Sequence, residues 1–159
     1  MSKLSNLYVG RAGQMVVMAE FLVRGYNVAI PEVDVGDDIF VVRDSDGLHT
    51  RIQVKTTNAT KTQQGYSARY TLKLSQLENP STPETWYVFV NRLQNEWESF
   101  LVIPRQDLFD LYELHDIGSV SKNEILSLYI SYTDDEIICS GQNFMKYLNN
   151  WDSWLPIEH

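Results

Sequence analysis

The chain has 159 residues, 43% hydrophobic and 21% charged, a balance that indicates one globular domain with a buried core. Its single cysteine, Cys139, excludes an internal disulfide and a thiolate metal cluster, and it is expected to be a small core residue. No apolar run approaches the ~18 residues of a membrane span, and the N-terminus lacks the hydrophobic region of a signal peptide. We therefore expect a cytoplasmic protein.

The net charge of −8 is unevenly distributed along the chain. Residues 1–105 carry 11 Lys and Arg against 11 Asp and Glu, whereas residues 106–159 carry 2 against 10. Between residues 43 and 73 there are six basic residues against two acidic ones. This local excess suits a polyanionic partner, and an ordinary solvated surface is the alternative interpretation.

The predicted elements begin with a helix from about Val9 to Arg24, where apolar residues recur at helical spacing before Gly25. Strand-like runs follow at 26–31, 39–42, 50–56, 68–74, 86–90, 99–104, 126–132 and 136–140. The polar stretch 57–65 predicts a loop, and 105–112 a short helix. A final helix is predicted from about Gln142, with apolar positions at Phe144, Tyr147, Leu148 and Trp151. This order predicts an α/β architecture.

The hairpin of strands 39–42 and 50–56 carries polar residues at positions where valine would pack at a lower cost in free energy. A two-residue turn at Asp46-Gly47 places Asp38 opposite Lys55, and opposite residues share a face of the sheet. Gln53 lies two residues from Lys55 and shares that face as well. The pattern thus groups an acid, an amide and an ammonium, while four apolar residues point to the core: Ile39, Val41, Ile52 and Val54.

These polar residues suit metal-assisted phosphodiester hydrolysis. Oxygen ligands from Asp38, the Gln53 amide and the Val54 carbonyl fit Mg²⁺, with Mn²⁺ as a substitute. The ion would lower the pKa of a bound water and neutralise phosphate charge, and Lys55 would position that water or stabilise the transition state. Glu20, on a helix face expected to be buried, needs either this cation or a salt bridge to Lys55. An ordinary surface ion-pair cluster is the alternative for the whole group.

The order of these motifs resembles the PD-(D/E)XK nuclease superfamily. Glu20 precedes PEVDVGDDIFVV, which carries Asp38, and then IQVKT, which carries Gln53 and Lys55. The sequence most resembles the branch in which glutamine replaces the motif's acid, which includes a group I intron homing endonuclease and small bacterial proteins. AEFLVRGYNVAIPEVD is similar to that family's helix-then-strand opening, and WYVFV with FLVIP to its later strand pair. The resemblance covers about residues 8–110 and does not extend to residues 115–159.

The resemblance implies a single restriction-endonuclease-like domain over residues 1–159. Its central mixed β-sheet would be flanked by helices in αβββαβ order, with an acidic C-terminal extension over about 111–159. Site roles follow by position: Asp38 is the metal-binding acid, Gln53 occupies the (D/E) position, Lys55 is the catalytic lysine and Glu20 is the helix acid. Asp34 is a possible secondary acid. Gln53 departs from the acidic pattern, and a neutral ligand gives a weaker metal site.

The function implied is a Mg²⁺-dependent DNA endonuclease. Lys61, Arg69 and Lys73 are candidates for contact with the DNA backbone, and a solvated loop and edge strand is the alternative. Cutting both strands with one site per chain requires two copies, so we expect a homodimer or a higher homo-oligomer. Two other functions stay open: the same fold without catalysis, as a nucleic-acid-binding or interaction subunit, and an immunity or decoy protein whose acidic third binds a basic partner.

Overall fold

The computed structural model describes residues 3–33 and 36–151, which form three α-helices and eleven strands in two sheets. The helices are α1 (Lys3–Val23), α2 (Leu74–Glu78) and α3 (Arg105–His115). The strands are β1 (Asn27–Ala29), β2 (Ile39–Arg43), β3 (Leu48–Asn58), β4 (Thr60–Lys61), β5 (Gly65–Lys73), β6 (Thr85–Leu93), β7 (Glu96–Pro104), β8 (Ser119–Val120), β9 (Ile125–Thr133), β10 (Ile137–Cys139) and β11 (Gln142–Asn143). Within these ranges no helix is long and apolar enough to cross a membrane.

The first sheet has the strand order β1-β2-β3-β6-β7, with β3 parallel to β6 and the other neighbours antiparallel. This is the mixed central sheet that the sequence predicts. Helix α1 covers one face of it, where Val17 and Phe21 pack in a single cluster with residues of four strands: Ile39, Val41, Ile52, Val88, Val90 and Val102. The other face carries Tyr87 and Phe89 into a second, larger cluster.

Two glycines determine how α1 ends and how closely it packs. Gly25 has φ +87°, and the N–H groups of Gly25 and Tyr26 donate to the carbonyls of Leu22 and Phe21, as the sequence predicts for a helix-ending glycine. Gly13 allows α1 to approach β3 closely, because a Cβ at this position would lie 2.0 Å from Oγ1 of Thr56.

The second sheet was not predicted. Its order is β11-β10-β9-β5-β4, and β5 pairs with β9 over nine residues, from Gly65 opposite Thr133 to Lys73 opposite Ile125. The predicted loop over 57–65 is therefore wrong, since it contains the end of β3, all of β4 and the start of β5. The inward residues of β5, Tyr70 and Leu72 among them, pack against the central sheet and stabilise this pairing.

The predicted C-terminal helix is also wrong. After β10 the chain turns at Ser140 and Gly141, both with positive φ, and forms β11 and a single 3₁₀ turn at Met145–Tyr147. The N–H of Phe144 donates 2.7 Å to the carbonyl of Ile137, which holds the segment against β10. Its apolar residues are buried without a helix, Phe144 and Tyr147 in the larger cluster and Trp151 in the cluster beneath α1.

The hairpin of β2 and β3 has a register two residues away from the predicted one. Arg43 pairs with Leu48 and Ile39 with Ile52, so the loop contains four residues rather than two. The side chain of Asp46 closes this loop by accepting from the Arg43 side chain and from the N–H of Leu48. Because the error is an even number of residues, every side chain keeps its predicted face.

Candidate active-site cleft

Asp38 lies where the pairing of β2 with β3 ends. Its N–H donates 2.9 Å to the carbonyl of Ile52, and its carboxylate Oδ2 accepts a 2.7 Å hydrogen bond from the N–H of Val54. The side chain thus continues the hydrogen-bonded ladder for one more step after the last paired residue of β2, Ile39. The position of this carboxylate is consequently determined by the backbone of both strands.

The same sheet edge presents a backbone oxygen. In a strand, the N–H and C=O of one residue point to the same side, so the Val54 carbonyl faces the edge on which Asp38 lies. Side chains alternate between faces, and Ile52 and Val54 pack towards α1. Gln53 and Lys55 therefore point to the opposite face, beside Tyr87 and Phe89 of β6 in the parallel register.

These groups line one open cleft of about 470 Å³. Its walls are formed by Gly36, Asp38, Gln53, Val54, Lys55, Lys73 and Gln76. The structure thus brings together Asp38, the Gln53 amide, Val54 and Lys55, as the residue pattern of the hairpin predicts. It adds Lys73 from the end of β5 and Gln76 from α2.

Glu20 does not line this cleft, in contrast to its predicted role. Its carboxylate forms a 2.5 Å ion pair with Arg24, the residue that follows α1. The physical reason is that α1 packs on the face of the sheet opposite to Gln53 and Lys55. Asp34, the possible secondary acid, lies outside the described residues. Asp37 is described, and its buried carboxylate forms a 2.8 Å ion pair with the part-exposed Arg51 in a smaller adjoining cleft.

Gln14 is the helix residue that reaches Asp38, and the sequence analysis did not identify it. This buried side chain donates 2.6 Å from Nε2 to the Asp38 backbone carbonyl, and its Oε1 accepts 2.6 Å from Arg11. Gln14 lies six residues before Glu20, about 9 Å along the helix axis. Its spacing from Val17 and Phe21, three and seven residues on, was the available signal that it shares their inward face.

The donors of the cleft fit a hard divalent cation, although with low total charge. Asp38, the Gln53 amide and the Val54 carbonyl supply oxygen atoms of the kind that Mg²⁺ prefers. In the part of the chain that the structure describes, no group of three His, Cys, Asp or Glu side chains is close enough to hold a metal. With one carboxylate and two neutral oxygens, the donor set predicts weak binding in which water supplies the remaining ligands.

A second groove of about 370 Å³ shares Val54 and Lys55 with the cleft. Arg69 of β5 lines it, together with the polar residues Asn6, Thr57, Asn58 and Thr71. Two of the three predicted DNA-contacting residues therefore line these surfaces, Lys73 in the cleft and Arg69 in the groove. Lys61 is exposed on β4 and lines neither of them.

Comparisons with known proteins show similarity at the level of structure. No family model matches the chain, and no curated protein matches its sequence. A solved bacterial homing endonuclease, I-Ssp6803I, is 18% identical, with a TM-score of 0.54, over 91% of this chain and 87% of that one. The Holliday junction resolvase Hjc of Archaeoglobus fulgidus is 12% identical, with a TM-score of 0.46, over 74% and 81%. The similarity to I-Ssp6803I shows that the chain has the restriction-endonuclease-like fold, with a mixed central sheet flanked by helices, which confirms the predicted fold class.

Proposed function

We propose that the protein is a metal-dependent DNA endonuclease. The observation that carries the proposal is the convergence of Asp38, Gln53, Val54 and Lys55 on one open cleft. The structural neighbour with the higher TM-score is a homing endonuclease, which supports a nuclease in general. The basic groove beside the cleft gives a surface for the phosphate backbone of DNA.

In this proposal Asp38 is the charged ligand of a Mg²⁺ ion. The Val54 N–H and the Gln14 amide hold Asp38 in place, and Gln53 Oε1 and the Val54 carbonyl are neutral ligands. When bound there, Mg²⁺ would neutralise charge on the scissile phosphate and would lower the pKa of a nearby water.

Lys55 lies where the cleft and the basic groove meet, since it lines both. An ammonium there stabilises the additional negative charge that a phosphodiester acquires during attack, and it orients the attacking water. Lys73, which lines the cleft, and Arg69, which lines the groove, would supply further cations for the phosphates of the bound strand. These contacts are independent of base sequence.

Residues 3–33 and 36–151 form one such cleft per chain, whereas duplex DNA has two strands to cut. We therefore propose that the protein acts as a homodimer or a higher homo-oligomer in the cytoplasm, with one cleft assigned to each strand. Sedimentation of the purified protein measures this state directly, and a monomer that cuts both strands without further association would contradict it.

The experiment is plasmid cleavage by purified protein with Mg²⁺, compared between the unaltered chain, Lys55→Ala and Lys61→Ala. Lys61→Ala is the matched control, because it removes the same charge from an exposed position outside both the cleft and the groove. We expect chelation of the metal to abolish cleavage and Lys55→Ala to reduce it at least 100-fold, the scale seen for loss of a transition-state contact. Equal cleavage by the two lysine variants would refute the assignment.

Among the described residues the cleft has one carboxylate, that of Asp38, and this supports a second candidate, a nuclease fold that binds nucleic acid without cutting it. Calorimetry with Mg²⁺ and Mn²⁺ discriminates between the two functions. DNA binding without uptake of either ion favours the non-catalytic function, whereas uptake that disappears in Asp38→Asn favours the endonuclease.

A further inference from the structure

The proposed metal site depends on the orientation of a neutral amide. A carboxylate has an oxygen at each end, so either end serves as a ligand. The Gln53 amide has one oxygen and one NH₂ group, and only the oxygen binds a cation. A glutamine in this position therefore needs a second group that determines which end faces the cleft.

Gln76 is placed to supply that group. It lies in the first turn of α2, and its Oε1 accepts a 3.2 Å hydrogen bond from Nε2 of Gln53. Both side chains line the cleft that contains Asp38. Among the described residues, this is the hydrogen bond that engages the Gln53 side chain, which is 7% exposed.

The loop before β2 leaves room for this arrangement. A Cβ built on Gly36 would lie 2.0 Å from Nε2 of Gln76, so a side chain at position 36 would displace the Gln76 amide. Gly36 also has φ +108°, a conformation that favours glycine. The glycine therefore allows the Gln76 side chain to lie over the cleft with its oxygen towards Gln53.

We infer that Gln76 is a positioning residue that holds the NH₂ end of Gln53 and so directs Gln53 Oε1 to the cation. The inference rests on the proposed function, because it assumes that Gln53 is a ligand. Gln76 acts through Gln53, as partners of ligands commonly do, and removing such a partner typically weakens metal binding 10- to 100-fold.

A double-mutant cycle tests this role with Mn²⁺ as the probe. Gln76→Met removes the acceptor at nearly constant length, and Gln53→Glu removes the difference between the two ends of the ligand. We expect Gln76→Met to weaken Mn²⁺ binding about tenfold in the unaltered background. In the Gln53→Glu background the same change is expected to have less than a twofold effect, because either carboxylate oxygen faces the cleft.

Calorimetry and the electron paramagnetic resonance of bound Mn²⁺ measure affinity without relying on cleavage, and thermal unfolding of each variant checks the fold. Gln76→Glu, which retains an acceptor, is expected to bind at least as tightly as the unaltered chain. Equal losses from Gln76→Met in both backgrounds would overturn the orienting role and leave the metal site intact. Failure of the unaltered protein to take up Mn²⁺ would overturn the metal site and the role of Gln76 together.

Discussion

The carboxylate of Asp38 accepts a 2.7 Å hydrogen bond from the backbone N–H of Val54. The residue proposed to hold the cation is therefore also part of the sheet, and one side chain connects the end of β2 to β3. Truncation of this side chain would leave a part-buried N–H without its partner as well as removing a ligand. A useful variant separates the two roles.

Asp38→Asn makes this separation, because the amide oxygen can still accept from Val54 while the negative charge is lost. We expect the free energy of unfolding to change by less than about 1 kcal/mol, the scale of one neutral hydrogen bond. Metal uptake and cleavage should fall below detection. Asp44→Asn, in the exposed hairpin loop, is the control for charge alone. Unfolding of Asp38→Asn at ordinary temperature would show that the charge itself stabilises the fold.

Gly13→Ala tests the close packing of α1 on β3. The added Cβ would meet the Thr56 side chain at 2.0 Å, so we expect destabilisation by roughly 1–3 kcal/mol, as for overpacked cores. Gly10→Ala lies one turn earlier, and its Cβ would meet nothing within 4 Å. This control should stabilise the helix by roughly 0.5–1 kcal/mol. Urea unfolding measures both variants, and effects of the same sign would contradict the packing argument.

The salt dependence of DNA binding tests the basic groove. Lys73→Ala and Arg69→Ala each remove a cation that lines the cleft or the groove, whereas Lys61→Ala removes one outside them. We expect each of the first two variants to reduce the slope of log K against log salt by about 1, and the third to leave it unchanged. Fluorescence anisotropy with a labelled duplex gives these slopes. A smaller slope of log K against log salt in Lys61→Ala would show that DNA also contacts a surface outside the cleft and the groove.

Burial raises the pKa of the Cys139 thiol to about 11, from an ordinary value of 9.0. The folded chain therefore retains this proton at a pH where the unfolded chain loses it, so the thiol's contribution to stability is complete below pH 9 and is lost as pH rises to about 11. The shift corresponds to about 2–3 kcal/mol. Unfolding curves at pH 8 and 11 measure it, and Cys139→Ala should reduce the difference. A native thiol that reacts quickly with thiolate reagents at pH 8 would contradict this burial.

The pKa of Asp46 is shifted in the opposite direction to that of Cys139. The hydrogen bond from the Arg43 side chain, followed by the one from the Leu48 N–H, lowers the pKa of its carboxyl from 3.8 to about 2. A lowered pKa means that the charged form stabilises the hairpin loop above about pH 4, and that this contribution is lost as pH falls to about 2. Carbon-detected NMR titration reads the value directly. Arg43→Ala should return it towards 3.8, and an unchanged value would assign the shift to the backbone.

The amino-acid sequence by itself determined the two local features on which the candidate site depends. The spacing of apolar residues predicts α1, and Gly25 predicts its end. The alternation of β2 and β3 assigns Asp38, Gln53 and Lys55 to one face, and that assignment holds although the predicted register was two residues off. Both results come from periodicities within short segments, which the backbone imposes whatever the rest of the chain does.

Only the tertiary structure decided which residues join that face from elsewhere. Helix α1 places Gln14, rather than Glu20, against Asp38. The spacing of Gln14 from Val17 and Phe21 indicates that it lies on the inward face, but only the packing of α1 on the sheet determines which residue of that face lies beside Asp38. The second sheet requires β5 to find β9 more than fifty residues later, and it positions Lys73 and Gln76 beside the cleft. Such pairings depend on the burial of Tyr70 and Leu72 against the central sheet, and the free energy of that contact is not encoded in either segment alone.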